Sequence, residues 1–84
     1  MAFTLLQQRV VCDESILGGK PIIQGTRISV EFVLDLLGSG MTFQDITQEY
    51  PHLTHEDLEA AVAFAKQVVS KEVLMPLRVA SAPV

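Results

Sequence analysis

Thr42-Phe43-Gln44-Asp45-Ile46-Thr47-Gln48-Glu49-Tyr50-Pro51-His52-Leu53-Thr54-His55-Glu56-Asp57-Leu58 is the stretch that decides the fold. Twice within it a threonine is followed three residues later by an aspartate, a variant of the capping box in which Asp stands where Glu or Gln is usual. Each threonine therefore opens a helix. Phe43, Ile46 and Tyr50 share one face of the first, and Pro51 ends it. The second carries Leu58, Ala61, Val62, Ala65 and Val69 as an inner stripe and is expected to run to about Leu74, before Pro76 breaks it. Phe64 and Val68 lie off that stripe, so this spacing predicts that they face a partner or a second subunit.

Upstream, Ser29 is a candidate cap for another helix. Val30, Val33, Leu34 and Leu37 follow at i, i+3, i+4 and i+7, Phe32 and Leu36 widen the stripe, and Gly38-Ser39-Gly40 stops it. Before that helix the chain reads as extended. Arg9-Val10-Val11-Cys12 is β-prone and Gly18-Gly19-Lys20-Pro21 is a loop. Ile22-Ile23 and Arg27-Ile28 around Gln24-Gly25-Thr26 suit a tight hairpin, which is too short to stand without packing on something. The expected architecture is mainly α: three helices in a helix-turn-helix outline preceded by a short β-hairpin. The expected organisation is an N-terminal extension over 1–8, a domain over 9–75 and a tail over 76–84.

Composition narrows the function. An 84-residue chain forms one domain with a thin core. Yet 49% of its residues are apolar and its mean hydropathy is +0.35. That excess points to self-association, as a homodimer, or to a covered surface, because monomers expose few large apolar patches. A net charge of -4 opposes broad attraction to nucleic acid. One cysteine, Cys12, makes no internal disulfide and suits a reducing compartment. No apolar run is long enough to span a bilayer, and the first nine residues lack the pattern of a signal peptide. The expected location is cytoplasmic, with no membrane contact.

Motifs for chemistry are weak. Gly18-Gly19-Lys20 lacks the upstream glycine, the following Ser or Thr and the helix of a phosphate loop. His52 and His55 near Glu56 and Asp57 lack metal-ligand spacing, and the carboxylates suit a helix N-terminus. Cys12 has no histidine beside it in sequence and reads as a small buried hydrophobe. No catalytic residue, metal or cofactor is expected. In a helix-turn-helix the start of the last helix meets base edges, but here Glu56, Asp57 and Glu59 occupy it and would repel phosphates. Lys20 and Arg27 are the better candidates for a DNA or partner contact. For Arg27 a structural role, pinned to Glu31 or Asp35, is the equal alternative. Leu77 and Val79 of the tail join Phe64 and Val68 as candidate partner or dimer contacts.

Ile16-Leu17-Gly18-Gly19-Lys20-Pro21-Ile22-Ile23-Gln24-Gly25-Thr26-Arg27-Ile28-Ser29-Val30, followed by Tyr50-Pro51-His52-Leu53-Thr54-His55-Glu56-Asp57-Leu58-Glu59-Ala60-Ala61, resembles a bacterial family known as domain of unknown function 433. The resemblance covers roughly residues 9–70 and leaves Leu77 to Val84 outside. It implies a homeodomain-like helix-turn-helix behind a small β-hairpin. It also implies the role of an antitoxin paired with a toxin resembling PIN-domain ribonucleases, with repression of its own operon through DNA binding as the alternative.

Overall fold

A computed structural model describes residues 3–70 of the chain. Strands β1 (Phe3–Gln7), β2 (Val10–Asp13) and β3 (Ile22–Ile23) precede helices α1 (Val30–Gly38), α2 (Phe43–Glu49) and α3 (His55–Val69). The protein is mainly α with a small antiparallel sheet ahead of the helices, as the sequence predicts.

All three helix starts lie where the caps place them. Ser29 Oγ accepts from the Phe32 N–H at 2.9 Å. At α2, Thr42 Oγ1 accepts from Asp45 N at 3.0 Å and Asp45 Oδ2 accepts from Thr42 N at 2.9 Å. At α3, Thr54 Oγ1 accepts from Asp57 N at 3.1 Å and Asp57 Oδ2 accepts from Thr54 N at 3.0 Å. Two orphan N–H groups are satisfied at each box, so the shorter aspartate closes it as glutamate would. The described part of α3 ends at Val69; its expected continuation to Leu74, together with Leu77 and Val79, lies outside the described residues.

The sheet is larger than the expected hairpin. Its order is β1-β2-β3, and β1 comes from the stretch expected to be an extension. Thr4 lies opposite Cys12 and Leu5 opposite Val11, with a bulge between Leu5 and Gln7. The Gln24-Gly25-Thr26 turn does close, with the Ile23 N–H donating to the Ile28 carbonyl at 2.9 Å and Gly25 at φ +84°. Its second arm makes only an isolated bridge, Ile22 to Ser29. The ladder partner of β3 is β2, with Val10 opposite Ile23 and Val11 opposite Ile22. Arg27-Ile28 forms no strand because two residues later the chain must already be capped for α1.

Val10 and Ile23 from the sheet meet Val30, Val33, Ile46, Leu53, Leu58 and Ala61 in one core. Phe64 is half-buried and packs against that core on one side. Val62 and Val69, expected inside, are 39% and 61% exposed. The buried face of α3 includes Asp57, Leu58 and Ala61; it keeps Leu58 and Ala61 of the predicted stripe and is turned from Val62 and Val69 toward Asp57. Asp57 itself lies on that face, a carboxylate only 8% exposed. Its Oδ1 accepts from Arg9 Nη1 at 3.0 Å, a long-range pair that satisfies the carboxylate on that face.

Candidate apolar docking groove

Where α1 lies along the second half of α3, the core does not close over. Val30, Leu34 and Pro21 on one side and Phe64, Ala65, Val68 and Val69 on the other wall an open groove of about 290 Å³. The rotation of α3 creates it. Turning Asp57 inward carries Phe64 and Val68, seven and eleven residues on, to the same side of the helix at about 100° per residue. The end of α3 has no further element across it among the described residues. Leu34 is 38% and Val68 55% exposed, so water reaches apolar surface that a covering chain would remove from it.

The lip of the groove is polar. Lys20 Nζ donates to Glu31 Oε1 at 2.8 Å. This bond, and then the attraction of the two charges, raises the Lys20 pKa above its ordinary value and lowers that of Glu31. Both side chains are well exposed, at 57% and 71%, so the pair marks an edge more than it stabilises the fold. Of the predicted contacts, the structure thus brings Lys20, Phe64 and Val68 to one place. Lys20 holds the Glu31 partner that the sequence reading considered for Arg27.

Arg27 lies elsewhere. It borders a different cavity, of about 410 Å³, with Val11, Asp13, Ile16 and Ile22, and makes no ion pair among the described residues. The pinning to Glu31 or Asp35 considered for it does not occur. Beside it, Asp13 accepts from the hydroxyl of Ser15 at 2.7 Å and from its N–H at 2.9 Å, which lowers its pKa. His55 stacks edge-on against Phe43, with ring centroids 4.8 Å apart, and helps seat α3 on α2. Cys12 is half-buried in β2. No group of three His, Cys, Asp or Glu side chains placed to hold a metal occurs among the described residues.

Sequence reasoning missed the junction at Arg9. Its backbone is left-handed at φ +70°, a strained conformation for a residue with a Cβ. Its carbonyl accepts from the Gln24 N–H at 2.9 Å while its guanidinium holds Asp57. One residue of the β1–β2 turn thus ties the β3 turn and the start of α3 together. No local pattern signals a pair separated by 48 positions.

A family model described as a protein of unknown function (DUF433) matches residues 10–65. The chain belongs to the DUF433 family. No curated protein and no solved structure matches it. The DUF433 match takes in the Lys20–Glu31 lip and the α1 wall of the groove. Its limit at residue 65 leaves Val68 and Val69, which complete the α3 wall, beyond it. Among the described residues no helix is long and apolar enough to cross a membrane.

Proposed function

We propose that this DUF433 protein is a non-catalytic binding module: an antitoxin that neutralises a PIN-like ribonuclease by covering it through protein–protein contact. The observation that carries the reading is the α1–α3 groove, an apolar surface placed where an extended or helical segment of a partner can lie between two helices. Leu34, Phe64 and Val68 supply contact area there, and Lys20 and Glu31 supply orientation at the lip. The acidic start of α3, with Glu56 and Glu59 exposed, adds complementarity to a basic, RNA-cleaving partner. Such complementarity speeds encounter more than it adds affinity. In the same proposal the chain works as a homodimer in the cytoplasm. A solution mass of two chains is the expected result.

Co-expression with the product of the adjacent open reading frame tests the reading. The neighbour should be toxic alone, harmless with this chain, and co-purify with it. Leu34→Asp and Val68→Asp should abolish co-purification while leaving the circular dichroism spectrum unchanged, since both side chains already face water. A harmless neighbour, or capture indifferent to both substitutions, would overturn it.

Arg27 favours a second reading, a DNA-binding autorepressor using a helix-turn-helix, because it is an exposed cation that pairs with no carboxylate among the described residues. A mobility shift on the upstream region that weakens with Arg27→Ala and with salt would support it. No shift at micromolar protein would count against it. Lys20 is the weaker phosphate contact, since Glu31 already neutralises it.

A further inference from the structure

The groove runs to the point where the described chain stops: Val68 and Val69 belong both to its wall and to the last turn of α3. From there the sequence continues Lys71-Glu72-Val73-Leu74-Met75-Pro76-Leu77-Arg78-Val79-Ala80-Ser81-Ala82-Pro83-Val84. This stretch is rich in apolar residues, and its charges flank Val73, Leu74 and Met75 without interrupting them. We propose that the first occupant of the groove is this segment, 71–84, of the same chain, folded back over Phe64 and Leu34 and displaced when a partner binds. The displacement rests on the partner-binding reading given above; the occupancy does not.

Reach, tethering and charge favour it. The path from Val69 back to Phe64 is about 7–8 Å at 1.5 Å per helical residue. Extended chain covers about 3.3 Å per residue. Two or three residues would thus suffice for a turn after Ser70, which puts the groove within reach of Leu74, Met75 and Leu77. A segment joined this closely is present at an effective concentration of the order of millimolar. Weak apolar docking then fills the groove, and a free partner at micromolar concentration must bind about a thousandfold more tightly to displace it. At the lip, Glu31 accepts from Lys20 through Oε1 alone among the described residues, which leaves its other oxygen for a cation such as Arg78.

The test uses the full chain. Cys12→Ser combined with Ala80→Cys gives a single thiol for a nitroxide label, and paramagnetic broadening is read at methyl groups of a dilute sample. Leu34 and Val68 should lose more than half their intensity, while Val11 and Ile16, on the Arg27 side of the sheet, keep theirs. Equal intensities at all four would overturn the proposal. So would broadening that appears only when labelled chain is mixed with isotope-labelled, nitroxide-free chain, which would assign the segment to a second copy. Independently, Leu74→Asp with Leu77→Asp should raise the emission of the apolar dye 8-anilinonaphthalene-1-sulfonate several-fold, and adding Leu34→Asp should remove the gain. No rise would count against an occupied groove. Absent broadening with partner capture still abolished by Leu34→Asp defeats the segment and leaves the partner reading standing. Broadening without capture does the reverse.

Discussion

Replacing Asp57 with alanine removes three things from one place. The Thr54 N–H loses its acceptor at 3.0 Å, Arg9 loses its ion partner at 3.0 Å, and the positive end of α3 loses a carboxylate. The first is a hydrogen bond to a charged group, worth about 1.5–3 kcal/mol when the remaining partner is left short of water. The Arg9 side chain is 43% exposed, so solvent screens the second, which contributes about 0.5 kcal/mol. The helix-end charge overlaps with both and adds no more than about 0.5 kcal/mol. The expected loss is thus about 2–4 kcal/mol, a large share of the roughly 5 kcal/mol typical of the lower end for small domains. Thermal unfolding followed by far-UV circular dichroism should show a midpoint lower by about 10–30 °C, at about 4–8 °C per kcal/mol for a domain of this size. Asp45→Ala is the matched control: it breaks the same kind of box on α2 at an exposed site with no ion pair, and should cost about 1 kcal/mol. Equal losses for the two variants would refute the claim that Arg9–Asp57 anchors the third helix. A loss under about 1 kcal/mol for Asp57→Ala would do the same.

Arg9→Gly should be more stable than Arg9→Ala by about 1 kcal/mol in urea denaturation, because glycine adopts the left-handed φ without a Cβ penalty; equal midpoints would argue that the turn relaxes. Leu58→Ala, which empties a fully buried position, should cost about 2–5 kcal/mol, while Val62→Asp should leave the midpoint within about 0.5 kcal/mol. A cost of about 2 kcal/mol or more for Val62→Asp would restore the stripe read from the sequence. Carboxyl titration by NMR should place Glu31 below its ordinary 4.5, and Lys20→Met should return it toward that value. The sign follows: whatever the pair contributes is complete above Glu31's unfolded pKa and lost as pH falls through its lowered folded one. On the alkaline side it is lost as pH rises through the raised folded pKa of Lys20, above 10.5. The effect is small because both groups are exposed.

Much of this fold was legible along the chain because its signals are local. Thr42 with Asp45, Thr54 with Asp57, and Ser29 act over one helical turn, so residues three apart reveal each helix start. Gly38-Ser39-Gly40 and Pro51 mark stops by their own backbone chemistry, and the glycine of Gln24-Gly25-Thr26 makes the turn whatever surrounds it. Lys20, Phe64 and Val68, named from the sequence as candidate contacts, line one groove in the structure.

The facing of the last helix needed the tertiary structure. Counting apolar residues centres its stripe between Leu58 and Val62, since a carboxylate is scored as solvent-facing. Paired with Arg9, Asp57 is accommodated on the buried face, which is turned toward it from the stripe that apolar counting gives. Phe64 then packs on the core, Val62 and Val69 face water, and the groove opens beside α1. Local chemistry therefore determined where each element begins and ends. Which face α3 buries depended on its packing against α1, α2 and the sheet, with a charge pair 48 positions apart among those contacts, which no short stretch of residues contains.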